Sequence, residues 1–348
     1  MVVAVVGCGY WGLNLIRNFL QFQSVDTVIA CDLDEHRLET VRQRFRWIRT
    51  SADPFSVLTD PTVDAVAIAT PVASHFELTR IALLHRKHVL VEKPMVRRAT
   101  EATELLTIAE AQGLTLMVDH TFLFTDAVQK LKELLVLGEL GEPLYFDSVR
   151  ANLGLFQPDV NVVWDLASHD VSILLYLLDS EPPTAVSAVG IRHYYELENL
   201  AYVTVYYNDS FLAHFHVNWL SPVKIRTICL GGSRRMAVYD DMETSEKLRV
   251  YDRGVEITSK EGEERLRVQY RAGQMYAPPL PNHEALGRVI HHFLESIHTG
   301  QRPISDGYFG RAVVSILEAA EESLARHGQR VPLCPDLVSY PTPQLLSL

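Results

Sequence analysis

The chain is predicted to be an α/β protein: an N-terminal doubly wound parallel sheet of the Rossmann type, followed by a C-terminal α+β domain on a largely antiparallel open sheet. Three observations predict this. A strand-length apolar run, Val2-Val3-Ala4-Val5-Val6, passes into Gly7-Cys8-Gly9-Tyr10-Trp11-Gly12 and then into a helical stretch. A second apolar run ends at Asp32. Beyond about residue 140 the alternation of apolar runs and helices gives way to closely spaced strands joined by short turns.

Each piece of the opening has a task in gripping a dinucleotide. Gly7 permits a tight turn off the strand, Gly9 lets backbone N–H groups approach a pyrophosphate, and Gly12 lets the helix pack on the sheet. A helix over residues 10–20 then points its positive end at the phosphates, with Tyr10 and Trp11 in its first turn as expected cofactor contacts. Asp32 follows the last glycine by 20 residues, where an acid accepts hydrogen bonds from the ribose hydroxyls. The acid favours NAD over NADP, because it repels a 2′-phosphate; Arg37, a turn further on, softens that preference. A glycine turn with no ligand is the alternative reading of the same residues.

Composition bounds the rest. At 348 residues the chain suggests two domains, divided here as 1–120 and 121–333 with a tail over 334–348. A net charge of −11 argues against nucleic-acid or anionic-membrane binding, which needs a basic footprint. No stretch reaches the roughly 18 apolar residues of a membrane span. The first apolar run is only a strand long and ends in glycines, so it does not read as a signal peptide. Cys8, Cys31, Cys229 and Cys334 lack metal-ligand or redox spacing and read as free thiols of a cytoplasmic protein. The histidine pairs 214/216 and 291/292 have no complementary acid or cysteine cluster, so no metal is expected.

In order along the chain, the runs at 27–31, 65–69, 88–91 and 115–118 lack polar alternation and read as buried parallel strands. Helices are expected over 71–84, 97–112 (stopped by Gly113) and 127–137 (stopped by Gly138). Strands follow over 145–152, 184–192, 201–207, 211–220, 225–231 and 235–239, interrupted by a helix over 163–178. In the run 211–219, Phe211, Ala213, Phe215, Val217 and Trp219 share one face, and His214, His216 and Asn218 share the other. The first face packs on helices; the second meets water, a ligand or another subunit. Helices over 282–298 and 307–327 close the molecule.

Three constellations carry chemistry. Glu92-Lys93-Pro94 follows a strand whose carboxyl end should face the cofactor, and Lys93 there could donate to a substrate hydroxyl or hold a developing alkoxide. Read locally, it is equally a surface turn with a salt-bridged pair. Thr70-Pro71-Val72-Ala73-Ser74-His75 is a βα turn that would let the backbone run beside the nicotinamide, or a plain capped helix start. Asp165 and His169 stand four apart on an expected helix, so they share a face; an acid beside a histidine makes a general base, or a structural hydrogen bond. Basic side chains at Arg150, Lys224 and Arg226 could grip an anionic substrate, with Asn152 beside them, or be scattered surface charge.

Taken together and in order, these residues resemble the Gfo/Idh/MocA family, named from glucose–fructose oxidoreductase, inositol dehydrogenase and rhizopine catabolism. The resemblance covers roughly residues 1–333, and Glu92-Lys93-Pro94 is its most specific part. It implies that Lys93 and His169 flank the reacting carbon of a substrate held in a cleft between the domains, with Asp165 holding substrate or supporting His169. It also implies that the open sheet makes oligomer contacts, giving a homodimer or homotetramer. Asp119-His120-Thr121-Phe122-Leu123-Phe124, Asn152-Leu153-Gly154, Asp159-Val160-Asn161 and Trp164-Asp165-Leu166 look like the nucleotide-sugar 3-dehydrogenases of the family. The candidate substrate contacts are Arg150, Asn152, Asn161, Trp164, Lys224 and Arg226, and the further candidate cofactor contacts are Thr70, Pro71, His75, Glu92 and Lys93. Many members carry glycine two residues before the histidine and an acid three after it; here stand Ala167 and Ser172, and Asp170 directly follows His169.

The expected activity is hydride transfer between NAD and a secondary hydroxyl of a sugar, a UDP-N-acetyl-hexosamine or its uronic acid oxidised at C3. The alternatives are an inositol or free-sugar dehydrogenase of the same family and a non-catalytic dinucleotide-binding regulator. A diphosphate-bearing substrate would require Arg150, Lys224 and Arg226 to line the cleft.

Overall fold

The computed structural model describes residues 1–154, 159–179, 181–194, 196–207, 209–258 and 267–341. It begins with β1 (Val2–Val6), α1 (Tyr10–Phe19), β2 (Thr27–Cys31), α2 (Glu35–Arg44), β3 (Arg49–Ser51), α3 (Pro54–Thr59), β4 (Ala65–Ile68), α4 (His75–Leu84), β5 (His88–Glu92), α5 (Ala99–Gln112) and β6 (Leu116–Asp119). The six strands form one parallel sheet in the order β3-β2-β1-β4-β5-β6. Helices cover both faces of such a sheet, so its strands carry apolar residues on both; every residue of β4 is buried. The order reverses between β1 and β4, and ligands of open α/β sheets bind beyond the strands' carboxyl ends at that point.

The expected Rossmann sheet is present, with three differences in detail. β3, α2 and α3 escape an apolar-run reading because β3 is three residues long and polar (Arg-Thr-Ser), although Asp34 and Asp53 cap the two helices by accepting backbone N–H groups. The helix expected from residue 71 starts as a 3-10 turn, Val72–Ser74, before α4. α5 starts at Ala99 rather than 97 and stops at Gly113, whose φ of +66° is the left-handed conformation a glycine stop supplies.

The chain continues through α6 (Asp126–Val136), β7 (Pro143–Leu153), a π-helical turn at Val163–Ala167, α7 (Ser168–Leu177), β8 (Ala185–Ile191), β9 (Leu200–Tyr206), β10 (Leu212–Asn218), β11 (Leu220–Gly232), β12 (Met236–Asp240), β13 (Leu248–Tyr251), β14 (Gly254–Thr258), β15 (Arg267–Arg271) and β16 (Met275–Tyr276). It ends with α8 (Ala285–Thr299), α9 (Gly307–Ala325), β17 (Val331–Pro332) and α10 (Pro335–Val338). Nine strands make the second sheet, ordered β16-β13-β12-β11-β7-β10-β9-β8-β17, while β14 and β15 pair separately. The pairing of β7 with β10 is parallel and the others are antiparallel. On β10 the alternation holds: Ala213, Phe215 and Val217 are buried, while His214 and His216 lie half-buried on the opposite face beneath the Tyr202 ring, 4.7 Å from His216.

Two compact units result. The first comprises Met1–Phe124, His283–Glu318 and the tail from Cys334; the second comprises Thr125–Asn282 and Ala319–Leu333. This differs from a simple division at 120 and 333, because the chain returns to the first unit. α8 buries Leu286, Val289, Ile290 and Phe293 and packs on α1 and on the turn Thr121–Phe124. Residues 342–348 of the expected tail lie outside the described residues.

At the glycine turn backbone approaches backbone closely. Gly7 has φ +95°, and a Cβ on Gly12 would stand 1.8 Å from the Gly7 carbonyl oxygen. Gly12→Ala must therefore separate α1 from the turn. It is expected to destabilise the protein by about 1–3 kcal/mol or more, read as a lowered urea midpoint.

Candidate active site

In the first unit, the backbone holds the glycine turn open on one side. The Gly7 N–H donates to the Cys31 carbonyl at 2.8 Å, fixing the turn to the end of β2. Gly9 is the N-cap of α1, with no side chain capping the helix and nothing within 4 Å of where its Cβ would lie. The first N–H groups of a helix lack intrahelical partners, so this end suits an anion. Tyr10 and Trp11, expected as cofactor contacts, are 78% and 41% exposed and meet edge-on with ring centroids 5.5 Å apart. Cys8 is inert between them and β2: burial and the Asp32 charge push its thiol up to about 12.

Asp32 is buried at the end of β2 and its two oxygens already serve the backbone. Oδ2 accepts from the Cys8 N–H at 2.7 Å and Oδ1 from the Asp34 N–H at 2.9 Å. Arg37, half-exposed, approaches the same Oδ2 at 3.4 Å. The acid thus staples the glycine turn to the end of β2, a structural role that spacing alone does not reveal.

The ends of β4 and β5 are tied together. The Ser74 hydroxyl donates to Thr70 Oγ1 at 2.7 Å, closing the Thr70-Pro71 turn. His75 is 1% exposed, with Nδ1 2.9 Å from the Pro94 carbonyl and Nε2 2.8 Å from the Thr70 carbonyl. The sequence nominates His75 as a cofactor contact; its buried ring lies between the Thr70 turn and the Lys93-Pro94 turn, donating to one of the two carbonyls as a neutral imidazole. Lys93 is half-exposed between buried Glu92 and Pro94. Glu92 accepts from the Lys93 N–H at 3.2 Å, and its register partner on β6 is Asp119.

Asp119 and His120, marked in the sequence only by likeness to the family, are each 1% exposed at the carboxyl end of β6. Thr121 Oγ1 donates to Asp119 Oδ1 at 2.7 Å. Burial and the Lys93 charge push His120 down to about 3, so its ring is neutral; it packs edge-on against Phe309. The signal that could have found Asp119 is positional: polar residues ending adjacent strands of an otherwise apolar sheet.

In the second unit, Asp165 and His169 are the only partly exposed residues between Val160 and Leu177. The segment is not one regular helix, since the π turn carries Asp165 and α7 carries His169. Trp219 Nε1 donates to Asp165 Oδ2 at 3.0 Å, orienting the carboxylate. Gly154 makes room for that indole, as a Cβ there would stand 2.6 Å from its ring. The Ser172 hydroxyl donates to the His169 carbonyl at 2.6 Å.

Several expected substrate contacts turn out to be structural. Arg150 is 2% exposed and grips Asp170, Nε to Oδ2 at 3.0 Å and Nη2 to Oδ1 at 2.6 Å, with Ser148 donating to the same carboxylate. An arginine facing the core of the sheet needs a buried acid, and Asp170 supplies it. Asn161 is also buried: its Oδ1 accepts from the Val163 and Trp164 N–H groups, and its Nδ2 donates to Glu198. It caps the π turn, whereas Trp164 is fully buried packing. Arg226 pairs with Asp241 at 3.2 Å. Asn152 is half-buried on β7, and Lys224 is exposed where the pairing of β7 with β11 shifts register. Among the described residues no three His, Cys, Asp or Glu side chains are grouped as a metal site, and no helix is long and apolar enough to cross a membrane.

Comparison with known proteins agrees with this layout. Residues 1–120 match the model of an oxidoreductase family with an NAD-binding Rossmann fold, and residues 128–238 match that of the GFO/IDH/MocA C-terminal domain. UDP-N-acetylglucosamine 3-dehydrogenase of Acidithiobacillus ferrooxidans is 27% identical over 318 residues, covering 90% of this chain and 94% of that protein. A solved structure of UDP-N-acetylglucosamine 3-dehydrogenase GnnA from Acidithiobacillus ferrooxidans has a TM-score of 0.77 at 24% identity, covering 94% of this chain and 98% of that one. Inositol 2-dehydrogenase 2 of Saccharopolyspora erythraea is 31% identical over 192 residues, 54% of this chain and 56% of that protein.

The Arg150–Asp170 pair yields a direct test. Arg150→Met strands a buried carboxylate and is expected to destabilise the protein by about 3–5 kcal/mol, whereas the double variant with Asp170→Asn should recover much of that loss. Denaturant midpoints of the single and double variants measure both.

Proposed function

We propose, for a chain that belongs to the GFO/IDH/MocA family of NAD-binding oxidoreductases, that it is a sugar dehydrogenase acting on a secondary hydroxyl, with a UDP-N-acetyl-hexosamine or its uronic acid, oxidised at C3, as substrate. The observation that carries the reading is the exposure pattern. Lys93 at the end of β5, and Asp165 and His169 in the second unit, are partly open polar groups set in otherwise buried stretches. Such placement is unfavourable for stability and is what proton chemistry needs.

The turn fits a dinucleotide: Gly7 and Gly12 are forbidden a side chain by neighbouring backbone, while Gly9 faces open space at an uncapped helix end. Gly7, Gly9, Gly12 and Asp32 would hold NAD, which when bound accepts a hydride from the carbinol carbon. His169 takes the hydroxyl proton, and Asp165, oriented by Trp219, holds substrate or supports that imidazole. Lys93 is suited to stabilise negative charge on a substrate oxygen. The products are a ketone, the reduced dinucleotide and one proton.

Likeness to the UDP-N-acetylglucosamine 3-dehydrogenase over nine-tenths of the chain supports the nucleotide-sugar substrate. One observation favours a second reading, an inositol or free-sugar dehydrogenase. Arg150 and Arg226 are committed to Asp170 and Asp241, which leaves Lys224 alone of the three cations expected to grip a diphosphate. Assembly into a homodimer or homotetramer belongs to the proposal, supported by the exposed sheet face of Val189, Ile191, Tyr202 and Leu212 around the two histidines. A cytoplasmic location rests on the four free cysteines.

Three variants test it. Lys93→Met and His169→Asn should each lower kcat by about 10²–10⁴ on the UDP-sugar while NADH still raises the melting temperature. Retained turnover in both would remove the proton-transfer assignment. Asp32→Ser should move preference toward NADP(H) and lower stability as well, because the Cys8 and Asp34 N–H groups lose their acceptor; unchanged selectivity in steady-state kinetics would count against the ribose role.

A further inference from the structure

We propose that Glu92 and Asp119 share a single proton, held by Glu92 and donated to the Asp119 carboxylate, so that the pair presents one negative charge beside Lys93 and acts as its positioning device. The catalytic consequence rests on the dehydrogenase reading; the shared proton does not.

The geometry starts from strand register. β5 and β6 are parallel neighbours with Glu92 opposite Asp119, and side chains at paired positions leave the sheet on the same face. Both are enclosed, at 8% and 1% exposure. Each carboxyl group has one oxygen served by an ordinary donor: the Lys93 N–H reaches Glu92 Oε2, and the Thr121 hydroxyl reaches Asp119 Oδ1. The other two oxygens, Glu92 Oε1 and Asp119 Oδ2, are buried and receive no N–H or hydroxyl donor. Paired register sets these two groups at neighbouring positions on one face of the sheet, each with a buried oxygen that lacks a donor. Ionised carboxylates are acceptors only, so a hydrogen bond between the two requires a proton.

Their surroundings decide which residue keeps it. Burial and the neighbouring Asp119 charge raise the Glu92 carboxyl well above the usual carboxylate range. Burial raises Asp119 too, but the bond from Thr121 and the Lys93 charge favour its ionised form. Lys93 is the cation that acts on both carboxyl groups, and His120, next to Asp119 in the chain, carries a neutral ring. From this pair one negative charge therefore acts on Lys93 instead of two, and a substitution that removes it weakens the electrostatic hold on the ammonium.

Infrared spectroscopy tests the proton directly. The wild-type protein at pH about 7 should show the C=O stretch of a buried carboxylic acid, a band that moves when glutamate carries carboxyl ¹³C and is lost in Glu92→Gln. A spectrum without that band, or one whose band follows only labelled aspartate, overturns the proposal. The isotope measurement needs neither a variant nor turnover, so its failure is distinct from failure of the dehydrogenase reading. In pH profiles of kcat/KM, Glu92→Gln keeps a neutral donor beside Asp119, and the basic limb should stay in place. Asp119→Asn should shift that limb down by about 1–3 pH units. An equal downward shift in Glu92→Gln would mean that Glu92 was ionised, and would overturn the assignment.

Discussion

The first unit depends on the near-contact of Gly7 and Gly12. With the Gly7 carbonyl occupying the space of a Gly12 side chain, α1 starts directly over the end of β1. That proximity aims the helix's free N–H groups past the strand end, where the sheet order reverses. Asp32 closes the arrangement by accepting the Cys8 N–H, so β1, its turn and β2 form one hydrogen-bonded corner. The His75 ring lies between the turns that follow β4 and β5, within hydrogen-bond distance of a carbonyl from each. Both links use side chains that would otherwise be read as ligand contacts.

The second unit applies the same economy to a buried ion pair. Asp170 follows His169 directly, and Arg150 on β7 holds its carboxylate with two parallel bonds. The first turn of α7 is thereby fixed to the sheet, while the π turn before it is capped by Asn161 and braced through Trp219 and Asp165. A π turn places an extra residue in the helical path and often accompanies functional side chains. Here Asp165 lies inside the turn and His169 just beyond it, each partly open while its neighbours are enclosed.

The Rossmann sheet was readable because its strands are continuous apolar runs and its glycines and acids fall at fixed spacings. The short polar β3 carries no such signal, and only the capping acids Asp34 and Asp53 betray the helices beside it. Lys93, Asp165 and His169 could be nominated by residue type and order. Arg150, Asn161 and Trp164 could be nominated in the same way, and sequence does not say which face of β7 is covered or that Asp170 waits beneath it. Burial is a property of the assembled sheet, and it separates these groups. Asp119 lay hidden for the opposite reason: its importance comes from a cross-strand neighbour 27 residues away.

The path of the chain has a consequence for any attempt to divide it. Neither unit is one uninterrupted stretch: the first is completed by α8 and the start of α9, and α9 passes from one unit to the other between Glu318 and Ala319. A gene fragment ending at residue 124 would encode every strand of the parallel sheet but not α8, which packs on α1 next to Glu284, the partner of Arg17 and Asn18. Such a cut separates the parallel sheet from a helix of its own unit.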